Sequence, residues 1–93
     1  MTGEIGSVTP RRRTRLRGEI VSVVHCTRPN VRTDVTIGDG TGVLMLRFVG
    51  RSAMPGFDVG RHVVVEGTAG PIQGDLVMVN PVYSFVSCVE GVD

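Results

Sequence analysis

The sequence predicts an all-β domain built as one small antiparallel barrel, and three observations support this prediction. The chain has 93 residues, enough for a single hydrophobic core and too few for two. Valine dominates its apolar fraction, and the β-branched side chain of valine packs well on a pleated sheet. Alternating apolar and polar segments are separated by glycine- and proline-containing turns, a spacing that favours a barrel or sandwich over a helical or α/β fold.

The composition divides the chain into three parts. Residues 1–10 show no useful periodicity and contain two glycines, so we expect a flexible leader. Residues 11–87 hold the alternating segments and are predicted to form the barrel. Residues 88–93 form a short acidic tail.

Strand one is predicted over residues 15–24, where Leu16, Gly18 and Ile20 fall on one face. Gly18 is a candidate bulge or bend at which the strand curls to close the barrel. The following residues, 25–30, contain proline and asparagine and are predicted to form a loop.

Strands two and three are predicted to pair as an antiparallel hairpin. Strand two covers residues 31–37 and strand three covers residues 43–49. Between them, residues 38–42 combine Asp-Gly with further glycines, which supply the positive φ angles of a tight turn. The residues expected to face the core are Val31, Thr33, Val35, Ile37, Leu44, Leu46 and Phe48. Those expected outside are Arg32, Asp34, Thr36, Val43, Met45, Arg47 and Val49.

The second half of the chain supplies two further strands. Residues 50–60 contain one proline and three glycines, so a full helix between strands three and four is not expected. Strand four is predicted over residues 61–67, and residues 68–75 are predicted to form a flexible loop. Strand five covers residues 76–86 and is interrupted at Pro81, which cannot donate a ladder hydrogen bond.

The charges are unevenly distributed. All ten arginines lie between residues 10 and 62, where only four acidic residues accompany them, and only acidic residues follow. This asymmetry indicates contact with a polyanion, whereas the net charge of +1 indicates weak or assisted binding. The chain has no lysine, which excludes both a phosphate-binding-loop lysine and a Schiff-base lysine.

Neither the cysteines nor the histidines predict a reactive centre. Cys26 and Cys88 have no CxxC spacing and are too few for a disulfide framework, so we expect reduced thiols in a soluble, cytoplasmic protein. His25 and His62 lack partners at metal-ligand spacing. We therefore expect no metal, no cofactor and no catalytic activity, and the absence of a long apolar run argues against a membrane partner.

Residues 39–67, which read DGTGVLMLRFVGRSAMPGFDVGRHVVVEG, resemble nucleic-acid-binding OB (oligonucleotide/oligosaccharide-binding) domains. These domains carry a D-G-T/S-G turn, an apolar strand, P-G, and an alternating valine strand that ends in glycine. Residues 78–83, MVNPVY, look like the end of the wedge OB domain of RecG-type branch-migration helicases. Residues 49–56 resemble small stand-alone actinobacterial OB-fold proteins.

The resemblance covers roughly residues 14–86, and with the strand pattern it specifies the fold class. We expect a five-stranded OB-fold Greek-key barrel with a short or absent helix between strands three and four. Wedge domains touch branched or single-stranded DNA, and this is what the resemblance implies for the present chain. The helicase motor is missing, so any remodelling activity has to come from another protein.

Basic residues make up most of the candidate nucleic-acid site. Five arginines between residues 11 and 17 can track a phosphate backbone with charge-assisted contacts, unless they form a solvated arm. Arg32 and Arg47 are expected on the outer face of strands two and three, the usual ligand face of an OB barrel. The full candidate set is Arg11, Arg12, Arg13, Arg15, Arg17, Arg28, Arg32, Arg47, Arg51, His62 and Tyr83.

Two functions remain open at this point. The first is a non-catalytic module for single-stranded or branched DNA, with RNA as a further ligand, in which the loops 25–30 and 68–75 flank the groove. The second is a protein-interaction or oligomerisation barrel, an accessory subunit that uses the face of Val43, Met45 and Val49. The low aromatic content predicts modest intrinsic affinity for single strands, since bases normally stack on aromatic rings.

Overall fold

A computed structural model describes residues 3–86 of the chain. One turn of 3₁₀ helix, Ile5–Ser7, precedes six strands. The strands are β1 (Arg13–Cys26), β2 (Arg32–Gly38), β3 (Val43–Val49), β4 (His62–Ile72), β5 (Asp75–Val79) and β6 (Val82–Phe85). The described residues contain no α-helix, so the prediction of an all-β fold without a helix between strands three and four is confirmed. The predicted acidic tail lies outside the described residues.

The strands close into a barrel. Strand β1 pairs with β2, β2 with β3, β3 with β5, β5 with β4, and β4 returns to β1. Every pairing is antiparallel except that of β3 with β5, which is parallel. Strand β6 continues along β4 after a break at Asn80 and Pro81, so β5 and β6 together form the fifth strand. The predicted interruption at Pro81 is confirmed.

Strand β1 changes phase in its middle, and this determines which side chains reach which surface. Leu16 and Ile20 point inward in the first half, as the alternation predicted. A bulge between Ile20 and Ser22 then inserts Val21, so that Val23 and not Ser22 packs against the core. The bulge was predicted at Gly18, which instead allows a close approach: a Cβ there would lie 3.1 Å from Ile5, Ile37 and Gly38.

The core consists mainly of the inward residues of all strands. The fully buried side chains are Leu16, Ile20, Thr33, Val35, Ile37, Leu44, Leu46, Val63, Val65 and Met78. Val31 was wrongly predicted to face the core, because β2 begins one residue later and Val31 is 40% exposed in the preceding loop. Thr33 can be buried without an unpaired polar group, because its hydroxyl donates a 2.7 Å hydrogen bond to the carbonyl of Arg51.

The connection between β3 and β4 closes one end of the core without a helix. Phe57 is 5% exposed and packs against Phe48, Tyr83 and Phe85, with ring centroids 4.8 to 5.3 Å from its own. The Arg61 guanidinium lies over the Phe85 ring, 4.0 Å from its centroid. This aromatic cluster supplies the apolar contacts that a helix could otherwise provide.

The segment before the barrel is packed on it, in contrast to the flexible leader predicted for residues 1–10. Ile5 is 3% exposed and belongs to the core. Its amide donates to Oδ2 of Asp39 at 2.9 Å, and the amide of Gly6 donates to Thr41 Oγ1 at 2.8 Å. Gly42 permits the approach, because a Cβ at this position would lie 3.1 Å from the Cα of Gly6. The sequence contains no periodicity for this segment because only two apolar side chains, Ile5 and Val8, pack on the core.

The flexible loop predicted for residues 68–75 is wrong. Strand β4 continues to Ile72, and only Gln73 and Gly74 separate it from β5. Both have positive φ, 51° and 87°, as in the tight turns that suit a hairpin. Pro71 indicated a loop because proline has no amide hydrogen to donate to a neighbouring strand. In the structure, the part of β4 that contains Pro71 pairs only with β5, so its other edge is free and no hydrogen bond is lost there.

Candidate nucleic-acid interface

The outer face of β2 and β3 carries a charged cluster at its centre. Asp34 stands opposite Arg47 in the register, and Arg32 precedes Asp34 by two residues on the same face. The Nε of Arg47 donates to Asp34 Oδ1 at 3.0 Å, and the Nε of Arg32 donates to Asp34 Oδ2 at 3.2 Å. One carboxylate therefore holds two guanidinium groups in place.

The cluster keeps a net positive charge. Partial burial tends to raise the pKa of Asp34, but the hydrogen bonds and charges of Arg47 and Arg32 outweigh this effect and lower the pKa below its ordinary value. The same contacts raise the pKa of Arg47. At neutral pH, two cations and one anion remain on this face.

Apolar side chains surround the charged cluster. Each charged residue has an outward valine as its cross-strand partner: Val24 of β1 lies opposite Asp34, Val49 of β3 opposite Arg32, and Val79 of β5 opposite Arg47. These three valines are between 43% and 50% exposed. The face is therefore a charged centre within an aliphatic surface. Val24 and Val79 could not be assigned to it from the alternation alone, because the bulge in β1 and the parallel pairing of β5 determine where they lie.

Two loop arginines flank the same end of this face. Arg28 lies in the loop between β1 and β2, and Arg51 follows β3; both are exposed. The two segments are tied together by the amide of Gly50, which donates to the carbonyl of Val31 at 2.7 Å. The structure therefore brings Arg28, Arg32, Arg47 and Arg51 to one region of the barrel.

The basic stretch of residues 11–17 lies elsewhere. Arg13, Arg15 and Arg17 point outward from the first half of β1, opposite Thr68, Glu66 and Val64 of β4. Arg11 and Arg12 precede this half-strand and are exposed. Only the second half of β1 pairs with β2, so these five arginines do not join the cluster on β2 and β3.

His62 and Tyr83 also lie away from the cluster. His62 is exposed on β4, with its Nε2 3.9 Å from a carboxylate oxygen of Glu19. Tyr83 pairs with the inward residue Val65 and is half-buried in the aromatic cluster. The side chain of Tyr83 packs the end of the barrel and is not on the outer face of β2 and β3.

Residues 3–86 contain neither a cluster of metal-ligating side chains nor a helix that could span a membrane. Within this range, no three His, Cys, Asp or Glu side chains are grouped so that they could hold a metal ion. The same range has no helix that is long and apolar enough to cross a membrane.

Comparison with known proteins identifies the fold class. No protein-family model matches the chain, and no curated protein sequence matches it. Among solved structures, the chain is similar to the OB domain of MM0293 from Methanosarcina mazei, determined by NMR in solution. The TM-score is 0.71 at 14% sequence identity, over 92% of this chain and 83% of that chain. The chain is therefore an OB-fold domain.

Proposed function

We propose that this protein is a nucleic-acid-binding OB module for single-stranded or branched DNA. The observation that carries the proposal is the cluster of Arg32, Asp34 and Arg47 at the centre of the β2 and β3 face. OB barrels commonly bind oligonucleotides across this face, between the β1–β2 loop and the β4–β5 turn. The resemblance of residues 78–83 to the wedge domain of RecG-type helicases supports the choice of DNA.

Asp34 orders the two guanidinium groups before a ligand arrives. The Asp34 carboxylate accepts hydrogen bonds from Nε and Nη2 of Arg47 and from Nε of Arg32. The terminal nitrogens of Arg32 have no partner among the described residues and remain free to donate to a ligand. Preorganised guanidinium groups donate charge-assisted, often bidentate hydrogen bonds to phosphate oxygens. In this proposal Arg32 and Arg47 position a phosphate, and Arg28 and Arg51 add contacts from the loops.

The binding is expected to be modest in affinity and tolerant of sequence. Stacking on an aromatic ring is worth roughly 1–3 kcal/mol per base. All four aromatic residues of the chain belong to the cluster at the end of the barrel. Only the aliphatic surface of Val24, Val49 and Val79 is available to bases on the face of β2 and β3.

The proposed module is non-catalytic and works in the cytoplasm together with an enzyme that supplies any remodelling activity. OB domains typically act as binding modules, and the Thr33 hydroxyl, 2.9 Å from Nδ1 of His25, is fully buried and donates its hydrogen bond to the carbonyl of Arg51. The protein would hold a strand or a branch point while its partner acts. RNA is a further ligand of the same chemistry, to be compared directly with DNA.

Fluorescence anisotropy tests the proposal with a labelled single-stranded oligonucleotide and a labelled branched duplex, at low and near-physiological salt. The test variant replaces Arg32 and Arg47 by glutamine and Asp34 by asparagine, so that no unpaired charge is left in the cluster. The control variant is Val59→Gln, at a site 69% exposed in the β3–β4 connection. Binding that weakens with salt and is lost only in the cluster variant supports the proposal, and the absence of binding at low salt refutes it.

A protein partner is the second candidate function, because the same face exposes aliphatic surface. Val43 and Val49 are 69% and 49% exposed, and Met45 lies between them on β3. Exposed apolar patches of this kind are typical of interaction sites. Salt separates the two functions: phosphate binding weakens steeply as salt rises, whereas an apolar interface does not.

A further inference from the structure

The first half of β1 presents an arginine ladder, defined as Arg13, Arg15 and Arg17. Alternate residues of a strand point to the same side, so the three guanidinium groups leave one face at steps of about 7 Å. Glu66 accepts a 3.1 Å hydrogen bond from Arg13, and both side chains are well exposed. Arg15 and Arg17 have no carboxylate within 4.0 Å among residues 3–86.

A shallow groove runs beside the ladder across β4 and β6. Its volume is about 220 Å³, and its lining is Arg15 of β1, Val64, Val65 and Glu66 of β4, and Val82, Tyr83 and Ser84 of β6. The Glu66 carboxylate is ion-paired with Arg13, so Arg15 is the cation of the groove that has no described carboxylate partner. The groove thus places a guanidinium group beside hydroxyl and apolar groups, a lining that can contact the phosphates and sugars of a nucleic-acid backbone.

The ladder and the cluster on β2 and β3 are two separate surfaces. The ladder residues pair with β4, whereas the residues of β1 beyond the bulge, Ser22 to Cys26, pair with β2. The bulge reverses the alternation between the two halves, so the outward residues are odd-numbered in the first half and even-numbered in the second. A strand bound across β2 and β3 therefore does not occupy the ladder.

We propose that the arginine ladder is a second phosphate-binding surface, which takes a second nucleic-acid strand while the first lies on β2 and β3. One molecule then holds two strands together, and this would bring the arms of a branched substrate side by side. The proposal rests on the proposed function for the first strand. Its own basis is the excess of positive charge: five arginines from Arg11 to Arg17 lie near three glutamates, of which Glu66 is ion-paired with Arg13 while Glu4 and Glu19 lie near Arg17.

A bridging experiment tests this proposal. Two non-complementary single-stranded oligonucleotides, one with a donor and one with an acceptor fluorophore, are mixed with equimolar protein at low salt, and energy transfer reports two strands on one molecule. The ladder variant is Arg15→Gln with Arg17→Gln, since neither side chain has a described partner that its loss would leave unpaired. The control is Val59→Gln, at a site 69% exposed in the β3–β4 connection, which leaves every arginine in place and should keep the energy transfer of the wild type. Sedimentation of each complex confirms that the protein is monomeric when transfer is measured.

The expected result is energy transfer with the wild type and loss of transfer in the ladder variant, which still binds one oligonucleotide. The ladder variant should also lower the salt slope of second-strand binding by about 1.4, because each phosphate contact contributes about 0.7 for single strands. Binding of one strand without transfer, unchanged in the ladder variant, overturns the second surface and leaves the proposed function standing. Transfer that persists in the ladder variant also overturns it. Failure to bind any oligonucleotide overturns the proposed function itself.

Discussion

Asp34 and Arg47 face each other across β2 and β3, joined by hydrogen bonds of 3.0 Å from Nε and 3.4 Å from Nη2. The pair is only partly buried, with side-chain exposures of 11% and 21%. The carboxylate orders the guanidinium group and also neutralises part of its charge. The two effects oppose each other in anion binding, and a single substitution separates them.

The Asp34→Asn variant should bind single-stranded DNA more tightly than the wild type at low salt. The amide oxygen can still accept the hydrogen bond from Arg47, while one negative charge leaves the face. A charge interaction at a partly buried surface pair is worth on the order of 1 kcal/mol, so the dissociation constant should fall about threefold to tenfold. Anisotropy titrations at two salt concentrations measure this change. Weaker binding by the variant would show that positioning by Asp34 outweighs its negative charge.

Acid should destabilise the fold in the range where Asp39 becomes protonated. The amide of Ile5 and hydrogen bonds from Thr41 lower the pKa of Asp39 to about 2 from an ordinary value of 3.8. A depressed pKa stabilises the folded state above the ordinary value, and this contribution is lost as the pH falls through the folded value. The urea midpoint should therefore decrease between about pH 4 and pH 2. The Asp39→Asn variant should show a smaller decrease, and equal decreases in both proteins would contradict the assignment.

The packed N-terminal segment should contribute to global stability. Ile5→Ala removes a side chain that is 3% exposed and should lower the free energy of unfolding by about 2–5 kcal/mol. The control is Val59→Ala, at a site 69% exposed, where a change within about 0.5 kcal/mol is expected. Urea denaturation followed by circular dichroism compares the two. A loss at Ile5 no larger than at Val59 would mean that the segment is detached in solution.

Two strand glycines should respond oppositely to the same substitution. A Cβ at Gly18 would lie 3.1 Å from three neighbours, so Gly18→Ala should destabilise the protein by about 1–3 kcal/mol. A Cβ at Gly70 would meet nothing within 4 Å, and Gly70→Ala should be neutral or slightly stabilising. Thermal unfolding of the two variants in parallel measures the difference. Similar melting temperatures would show that Gly18 is not a close-packing site.

Tyr83 should matter for folding and not for nucleic-acid binding on the face of β2 and β3. Its ring lies 4.8 Å from that of Phe57 and 5.6 Å from that of Phe48, inside the aromatic cluster. Tyr83→Ala should cost roughly 3 kcal/mol of stability, whereas Tyr83→Phe keeps the ring and should bind DNA as the wild type does. If a Tyr83→Phe variant folds normally but binds DNA several times more weakly than the wild type, the Tyr83 hydroxyl contributes to DNA binding and the prediction is wrong.

Period-two alternation was sufficient to predict most of the fold. Except for Val31, which precedes β2, it placed the inward residues of β2 and β3 correctly because one face of each strand is buried, and Asp39 with its glycines predicted the turn between them. It failed where a single residue breaks the pattern. Val21 shifts the phase of β1, and Gln73 adopts a positive φ that its side chain does not signal.

The candidate site was predictable in part. Arg32 and Arg47 could be assigned to one face because they lie on the two strands of a hairpin, where the register follows from the turn. The separation of Arg13, Arg15 and Arg17 from that face could not be predicted, since it depends on which half of β1 pairs with β4. Likewise, the packing of Ile5 on the barrel could not be predicted, because it depends on contacts with residues more than thirty positions away in the sequence.

The phase shift in β1 has a consequence for how this chain tolerates change over generations. Val21 is 49% exposed, so many side chains can replace it with little effect on the core. Its loss is a different matter, because a strand shortened by one residue would turn Val23 outward and bring the alternate positions into the barrel. At this point the number of residues is constrained while their identity is not. Lineages of this protein should therefore drift freely in sequence at position 21 and yet almost never gain or lose a residue there.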